Sequence, residues 1–408
     1  MPGEIHIWTR LQMLRTKAAN RYKIEEEKCH IGHLLLEGLL HSPSHITQID
    51  AVTDEKETNK SVATRSAQLA SAMHNFGLKV GDCVVIMGYN DLNLVVPFYA
   101  CNYNGYPLCA VDPSADVREI VSLFSCIRPK LVFCPKFKEE DIKEALRKND
   151  LQERIVCFDD KNNNLETFVQ THKGTEVGFK EKFSGEIKTC MAMATIQWLS
   201  SLFYFVSGPL RHYTRVQSSA PLTPQLLVAL INKYKPNSTA WTPHLLNQFL
   251  KASENVCDLS SFKYIAIGGS AIEKPLLDKF QQRCGAYLYL VYGMTELLAP
   301  VFDFVDETPF GSTGLPMKKF QYKIVGDEGK IVDKPFETGE LWIKGDGFFK
   351  GYYNNPEETK RILTDDGWVM TGDIFYKDEK DFYYFVERKR LLIKYTGLWV
   401  LTVYTYFK

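Results

Sequence analysis

Segments with helical and strand periodicity alternate along this chain, and this alternation restricts the fold more than any other feature. Residues 61–76 have helical spacing of apolar side chains and end at Gly77, a residue that commonly terminates helices. Residues 83–87 form an apolar run typical of a buried strand; a helix over 92–104 and a strand over 105–111 follow. Strand, helix and strand in this order build a parallel sheet. The sequence therefore predicts an α/β fold with parallel sheets flanked by helices.

The same reasoning extends to the rest of the chain. Further predicted elements are helices over 117–126, 139–148 and 223–234, and strands over 131–136, 155–160 and 261–270. In residues 45–54 apolar and polar side chains alternate as in a strand. The charged residues 55–61 that follow predict a hairpin-like turn. Residues 1–28 show no strong periodicity, which predicts a leader to the fold.

Composition argues against several classes of protein. The 408 residues carry 49 basic and 49 acidic side chains with no long run of either sign, so a nucleic-acid partner or an anionic membrane surface is not indicated. No apolar run reaches the roughly 18 residues that a membrane span needs. The ten cysteines are scattered without a C-x-x-C pair, which predicts neither a zinc site nor a disulfide scaffold. We expect an intracellular protein with reduced, buried thiols.

The most informative short motif follows an apolar, aromatic run at 285–291. This run predicts a buried strand, and Tyr292 and Gly293 follow it at the end where open α/β sheets bind ligands. The tyrosine ring offers a face for a base, and the glycine lets a ligand approach the backbone. Thr295 can bind a phosphate, and Glu296 suits a Mg²⁺ that bridges nucleotide phosphates. An ordinary polar turn after a strand is the alternative interpretation.

Together with further segments, this motif resembles the adenylate-forming superfamily, which includes acyl-CoA ligases, coumarate-CoA ligases and beetle luciferases. The resemblance extends to segments at 66–73, 80–86, 105–113, 268–271, 338–359 and 366–397. It implies an adenylate-forming N-terminal domain with parallel sheets and a small β-rich subdomain. It also implies ATP and AMP as nucleotides, Mg²⁺, coenzyme A, and a small-molecule carboxylic acid as substrate.

The resemblance also assigns roles to residues. It places adenine and one wall of the acyl pocket against the turn made by Gly268, Gly269, Ser270 and Ala271. It makes Asp373 the acceptor of both ribose hydroxyls, although a carboxylate in a β-turn is the alternative interpretation. Arg388 becomes the matching ribose or phosphate contact, and Lys394 serves the second, thioester-forming step. Lys394 completes the predicted catalytic set with Thr295 and Glu296, and Glu296 is also the predicted metal ligand.

The sequence departs from the family in two places. The family's glycine-rich loop, which holds the β- and γ-phosphates, is missing between Ser184 and Gly208. Residues 311–318, GSTGLPMK, resemble that loop by letters, but their position predicts a turn at the floor of the site. The tail 398–408 stands where the family has a lid domain with its lysine. We therefore expect a truncated or alternatively spliced form, with a gap in its sheet and adenylation weakened by about 7 kcal/mol.

These observations predict three parts: a leader at 1–28, an AMP-binding adenylation domain at 29–386 that is shortened near 188–196, and a hinge with an atypical tail at 387–408. Within the last part, Glu387 stands where the family more often has Asp.

The predicted function is that of an ATP-dependent ligase that joins a fatty or aromatic acid to coenzyme A. A catalytically inactive relative that binds nucleotide or acyl ligand is the alternative. An oxidoreductase is disfavoured, because no G-x-G-x-x-G follows a strand. The resemblance implies a peroxisomal location, with the cytoplasm as the alternative because residues 406–408 are not the peroxisomal tripeptide. The oligomeric state is not indicated.

Overall fold

The computed structural model describes residues 7–152, 154–173, 188–253, 257–389, 392–395 and 398–401. The chain divides into two compact units, which are described separately. Unit 1 contains Met1–Thr239 and Ala252–Phe262, and unit 2 contains Ala240–Lys251 and Lys263–Lys408.

Unit 1 alternates helices and strands. Its helices are α1 (Ile7–Tyr22), α2 (Ile31–His41), α3 (Asn59–Phe76), α4 (Val95–Asn104), α5 (Val117–Ile127), α6 (Glu139–Lys148), α7 (Leu165–Thr171), α8 (Leu199–Arg211) and α9 (Pro224–Tyr234). Its strands are β1 (Ile46–Asp50), β2 (Lys56–Thr58), β3 (Val84–Met87), β4 (Leu108–Val111), β5 (Leu131–Cys134), β6 (Ile155–Cys157), β7 (Lys188–Met191), β8 (Tyr213–Gln217) and the start of β9 (Ser238–Trp241). Short 3-10 helices lie at Glu26–Lys28 and Lys136–Lys138.

The predicted parallel pairing of unit 1 is confirmed. Strand β3 pairs in parallel with both β4 and β5, and β5 pairs with β6, which gives a four-stranded sheet. In a second sheet, β7 pairs in parallel with β8 and β9, and β8 pairs in parallel with β1. The connections run through helices, as parallel strands require. Among the described residues of unit 1, apolar side chains from helices and strands form two separate cores.

The predicted capping residues of helices α3 and α9 are confirmed. Helix α3 ends at Gly77, whose φ of 104° is the left-handed conformation that glycine tolerates best. Helix α9 starts after Thr223, whose hydroxyl accepts a hydrogen bond from the Leu226 N–H at 3.1 Å, and Pro224 occupies the first turn. These ends are set by residues within one turn of the helix.

Two predictions about the beginning of the chain were wrong. The predicted leader contains helix α1, and its residues Leu14 and Ala18 are fully buried, with Leu14 in a core of unit 1. The charged segment predicted as a hairpin-like turn contains strand β2, which pairs antiparallel with β1, and α3 begins directly after it. Both elements depend on partners elsewhere in the unit, so their own sequence pattern is weak.

The expected gap in the sheet is also not found among the described residues. Strand β7 leads through helix α8 into β8, and the two strands pair directly from Lys188 with Tyr213 to Met191 with Val216. The described residues from 188 to 217 thus form a continuous strand, helix and strand unit.

Unit 2 combines a parallel strand pair with an antiparallel sheet. Its helices are α10 (Pro243–Ala252), α11 (Lys274–Gln281) and α12 (Pro356–Ile362), with a 3-10 helix at Thr295–Leu297. Its strands are β10 (Tyr264–Gly268), β11 (Tyr287–Val291), β12 (Phe302–Asp303), β13 (Ser312–Pro316), β14 (Gln321–Val325), β15 (Ile331–Val332), β16 (Gly339–Lys344), β17 (Val369–Lys377), β18 (Tyr383–Arg388), β19 (Leu392–Tyr395) and β20 (Leu398–Leu401).

The predicted β-rich subdomain is the antiparallel sheet of unit 2. Its strand order is β12-β13-β18-β17-β16-β14-β15. Strand β13 occupies most of the GSTGLPMK segment and lies between β12 and β18. The prediction of a turn at this segment was therefore wrong, while the prediction that it is structural agrees with its place inside the sheet.

The described residues bear on the expectations about membrane spans and about the cysteines. No helix among them is long and apolar enough to cross a membrane. All ten cysteines fall in the described part, where they form no disulfide. Six of them are buried, but Cys126 is exposed, so the expectation that the thiols are buried holds only in part.

Two buried histidines, His45 and His212, lie beside the half-buried His41 in unit 1. The ring of His212 lies 5.5 Å from that of His41 and 5.9 Å from that of His45, measured between centroids. His212 is 3% exposed. Burial, together with the positive charge of Arg10 and the two neighbouring histidines, lowers the pKa of His212 to about 2. The imidazole is therefore neutral in the folded protein.

This neutral histidine predicts a loss of stability in mild acid. The unfolded chain takes up a proton at His212 below the ordinary pKa of 6.5, whereas the folded chain does not. The contribution of His212 to the free energy of unfolding is therefore fully present above pH 6.5. Below that pH it falls by about 1.4 kcal/mol for each pH unit. We expect urea unfolding between pH 7.5 and 5 to show this slope, and His212→Asn, which tolerates the local φ of 52°, to reduce it.

The matched control is the exposed His74, changed to Gln. An unaltered pH slope in His212→Asn would contradict the assignment of the slope to the buried imidazole.

Candidate functional site

Three residues predicted from separate motifs meet in unit 2. Strands β17 and β18 pair with Asp373 opposite Arg388, and the Arg388 Nε atom lies 3.0 Å from Asp373 Oδ1. The Tyr292 hydroxyl, just after β11, donates a hydrogen bond of 2.7 Å to Asp373 Oδ2. The structure therefore brings together Tyr292, Asp373 and Arg388, which come from three separate segments of the sequence.

The Asp373 carboxylate is almost completely buried, with 1% of the residue exposed. Burial raises its pKa, while the charge of Arg388 and the hydrogen bond from Tyr292 lower it to a smaller extent. Burial and the nearby carboxylate also raise the pKa of Tyr292 well above its usual value, so the phenol keeps its proton. Burial therefore makes the charged form of this carboxylate costly to the fold, as is common at functional sites.

One oxygen of Asp373 lacks a well-aligned donor among the described residues. Arg388 approaches Oδ1 closely enough for an ion pair, but the atom accepts no hydrogen bond of good geometry. The backbone of Asp373 is held by the Thr371 hydroxyl, which accepts from the Asp373 N–H at 3.1 Å and donates to the Leu341 carbonyl at 2.7 Å. A fixed carboxylate with an unfilled acceptor suits the hydroxyls of a ribose.

The Tyr292 ring is partly built into the core of unit 2. It packs edge-on against Phe375 at 4.8 Å and lies 5.9 Å from Phe302. The residue remains partly exposed. Protein thus packs against the ring while the residue keeps some exposure, which is compatible with the predicted stacking of a base.

The glycine turn lies at the same edge of the sheet as Tyr292. Strands β10 and β11 are parallel and in register from Tyr264 with Tyr287 to Gly268 with Val291, so the segments that follow them leave the sheet together. A Cβ on Gly268 would lie 2.6 Å from the Val291 carbonyl oxygen, so strand packing itself requires this glycine. The next three residues, Gly269, Ser270 and Ala271, are exposed and available to a ligand.

Thr295 and Glu296 lie in the 3-10 turn that follows. Thr295 is exposed, and Glu296 is partly exposed. The Glu296 Oε1 atom accepts a hydrogen bond from the Tyr352 hydroxyl at 2.5 Å. A Cβ on Gly293 would come within 3.1 Å of the Ala299 carbonyl oxygen, so this glycine also permits a close approach within the protein.

Sequence reasoning missed the contribution of Tyr352. The family resemblance assigns the segment 338–359, which contains Tyr352, mainly to the small β-rich subdomain, so its aromatics were predicted to be structural. The signal that would have found it is a pair of tyrosines that follow a glycine and precede the capping residue Asn355 of α12.

The part of the chain that the structure describes contains no group of three or more metal-ligating side chains. Mg²⁺ is usually bound through one or two carboxylates together with phosphates and water, and Glu296 is the carboxylate that the sequence predicts for it. Lys394 lies on β19, which pairs with β20, but its side chain falls outside the described part, as do residues 402–408.

Comparisons with known proteins were made on the whole chain. The profile of the AMP-binding enzyme family matches residues 41–182 and 161–353. Luciferin 4-monooxygenase of Photuris pensylvanica is 27% identical over 413 residues, covering 86% of this chain and 75% of the relative. 4-Coumarate–CoA ligase 4 of Arabidopsis thaliana is 25% identical over 410 residues, covering 86% and 71%. The solved structure of a luciferase-like enzyme from the nonluminescent Zophobas morio mealworm gives a TM-score of 0.77 at 25% identity, covering 88% of this chain and 96% of that one.

Proposed function

The chain belongs to the family of AMP-binding enzymes, with the α/β fold of adenylate-forming proteins, and from this premise we propose that it is an acid–thiol ligase. It uses ATP to activate a carboxylic acid as an acyl adenylate and transfers the acyl group to coenzyme A. The observation that carries the proposal is the buried Asp373 carboxylate, held by Tyr292 and Arg388 with one acceptor position unfilled. Two adjacent ribose hydroxyls match such a carboxylate.

Each remaining site residue takes part in positioning the reactants. In the first step a carboxylate oxygen attacks the α-phosphorus of ATP and pyrophosphate leaves. The exposed turn after Gly268 faces adenine and the acyl group, and Thr295 donates its hydroxyl to a phosphate oxygen. Glu296 would hold Mg²⁺, which would neutralise phosphate charge. Both reactants are anions, so charge neutralisation and alignment are the main contributions to rate.

We propose a fatty or aromatic acid as the substrate and coenzyme A as the acceptor. The relatives named 4-coumarate–CoA ligase and luciferin 4-monooxygenase support an acid of this class. Lys394 would assist the second, thioester-forming step, as the family resemblance implies. A panel of aromatic and long-chain acids, assayed for ATP-dependent acyl-hydroxamate formation, would identify the preferred group.

We also propose that this chain adenylates slowly. The sequence between Ser184 and Gly208 contains no glycine-rich loop, and strands β7 and β8 are joined directly through α8. Each preorganised group that stabilises charge in a transition state contributes about 3–4 kcal/mol, so a missing phosphate loop lowers the rate by two to three orders of magnitude. The same observation favours a second candidate, a nucleotide-binding relative without turnover.

Thermal unfolding with nucleotides separates these proposals. AMP at about a hundred times its Kd should stabilise the folded protein by about 2.7 kcal/mol. We expect stabilisation by AMP and by ATP with Mg²⁺, accompanied by slow pyrophosphate release that depends on the acid. Stabilisation without any pyrophosphate release would favour the binding relative. The absence of stabilisation by either nucleotide would overturn both proposals.

The peroxisome is the proposed location, on the family resemblance alone. Expression of the chain with a fluorescent protein at its N-terminus, beside a peroxisomal marker, tests this. A diffuse cytoplasmic signal would overturn it.

A further inference from the structure

Tyr352 contacts the predicted metal ligand from a distant part of the same unit. Its hydroxyl donates a hydrogen bond of 2.5 Å to Glu296 Oε1, across 56 positions of sequence. Charge-assisted hydrogen bonds from hydroxyl to carboxylate have this short length and are stronger than neutral ones. One oxygen of the Glu296 carboxylate is therefore held by a protein donor.

The backbone of Glu296 is fixed independently of this contact. The Phe349 N–H donates to the Glu296 carbonyl oxygen at 3.1 Å. The next residue, Leu297, is 1% exposed and belongs to the apolar core of unit 2, against which Phe349 also packs. The remaining freedom of Glu296 lies in its side-chain torsions, and the Tyr352 hydroxyl is the described group that restricts them.

Tyr352 is itself held by the start of helix α12. Its N–H donates to the Thr359 hydroxyl oxygen at 2.8 Å, and that hydroxyl donates to the carbonyl oxygen of the capping residue Asn355, also at 2.8 Å. Its ring lies edge-on to Phe349, with centroids 5.3 Å apart. Backbone and ring are both anchored, so the hydroxyl is presented from a defined position.

The second carboxylate oxygen of Glu296 is the one available to a cation. Among the described residues, no hydrogen bond or ion pair reaches Glu296 Oε2, and the residue is partly exposed. A carboxylate that is already oriented binds a cation more tightly, because less side-chain entropy is lost on binding. Groups that orient a metal ligand through its second atom commonly contribute tenfold to a hundredfold to metal affinity.

We propose, on the premise of the proposed function, that Tyr352 is a positioning residue that holds Glu296 Oε1 and thereby directs Oε2 to the divalent cation bound with the nucleotide phosphates. It touches neither the nucleotide nor the reacting atoms in this role. Its effect is expected on cation affinity and not on the binding of AMP.

The test is cation binding by the full chain, with Mn²⁺ as the probe in the presence of ATP and free Mn²⁺ followed by electron paramagnetic resonance. Tyr352→Phe keeps the ring and removes the hydroxyl, and we expect about a tenfold weaker affinity for Mn²⁺. The neighbouring Tyr353, which is 53% exposed, provides the matched control as Tyr353→Phe. AMP affinity without metal should be the same in all three proteins.

A double-mutant cycle shows whether the effect passes through Glu296. If Tyr352 acts by orienting this carboxylate, Tyr352→Phe should add little to the loss caused by Glu296→Gln. Equal Mn²⁺ affinity in Tyr352→Phe and the unmodified protein overturns the inference, as do fully additive losses. If the unmodified protein binds AMP or ATP but no Mn²⁺, this inference alone fails. If it binds neither nucleotide, the proposed function fails with it.

Discussion

Asp373→Asn is expected to weaken AMP binding by about a hundredfold. The substitution keeps the shape of the side chain and removes its charge, so both hydrogen bonds from the ribose hydroxyls become neutral. Hydrogen bonds to charged groups are worth about 1.5–3 kcal/mol and neutral ones about 0.5–1.5 kcal/mol, and two weakened bonds give the expected loss. Isothermal titration calorimetry with AMP measures it.

The same substitution should leave the protein at least as resistant to heat. Burial raises the pKa of Asp373 above the ordinary 3.8, so the unfolded chain releases this proton more readily than the folded one. The resulting loss of stability begins near pH 3.8 and increases with pH up to the raised pKa. Asparagine carries no charge, so the Asp373→Asn variant avoids this loss of stability. Arg388 keeps 33% of its side chain exposed, so its charge stays solvated when the charge of Asp373 is removed.

The exposed Asp365, changed to Asn, is the control for a general effect of lost negative charge. A large fall in the melting temperature of Asp373→Asn, with AMP affinity retained, would show that the carboxylate is structural. That result would remove the central observation behind the proposed nucleotide site.

Gly314→Ala is expected to destabilise unit 2 severely. Gly314 has a φ of 114°, which alanine adopts only under strain, and a Cβ there would lie 2.3 Å from the Asp303 carbonyl oxygen on the paired strand β12. Backbone strain and overpacking each cost about 1–3 kcal/mol, which gives about 4 kcal/mol together. Differential scanning calorimetry should show a melting temperature lower by about 10 °C.

Gly311 supplies a matched control in the same segment. Its φ is 83°, but a Cβ there would meet nothing within 4 Å, so Gly311→Ala should cost only about 1–2 kcal/mol. Both variants should bind AMP and ATP normally at temperatures where they are folded. Loss of ATP affinity in Gly311→Ala, with stability retained, would show instead that GSTGLPMK acts as a phosphate loop.

Helix ends and apolar strands were predictable because the residues that determine them lie close together in the sequence. The glycine after α3 and the threonine before α9 act on groups within one helical turn, and apolar runs such as β3 are buried in any parallel sheet. Elements whose stability comes from a partner were not predictable. Helix α1 is held by buried residues that include Leu14 and Ala18, and the charged strand β2 exists through its pairing with β1.

For the candidate site, the sequence by itself determined the residue types and the motifs that carry them. It indicated Tyr292, Asp373 and Arg388 as members of one nucleotide site and placed the GGSA turn beside them. Only the tertiary structure decided which atoms meet. The register of β17 against β18 sets Asp373 opposite Arg388. The pairing of β13 with β12 and β18 puts most of GSTGLPMK into a sheet, although its letters resemble a loop.

The contact between Tyr352 and Glu296 belongs entirely to the tertiary structure. The two residues are 56 positions apart, and neither motif predicts the other. Capping and hydrophobic periodicity act over a few residues, so they can be read along the chain. Strand register and side-chain contacts between distant segments depend on how all the strands of unit 2 pack together, and that information is not contained in any one stretch of the sequence.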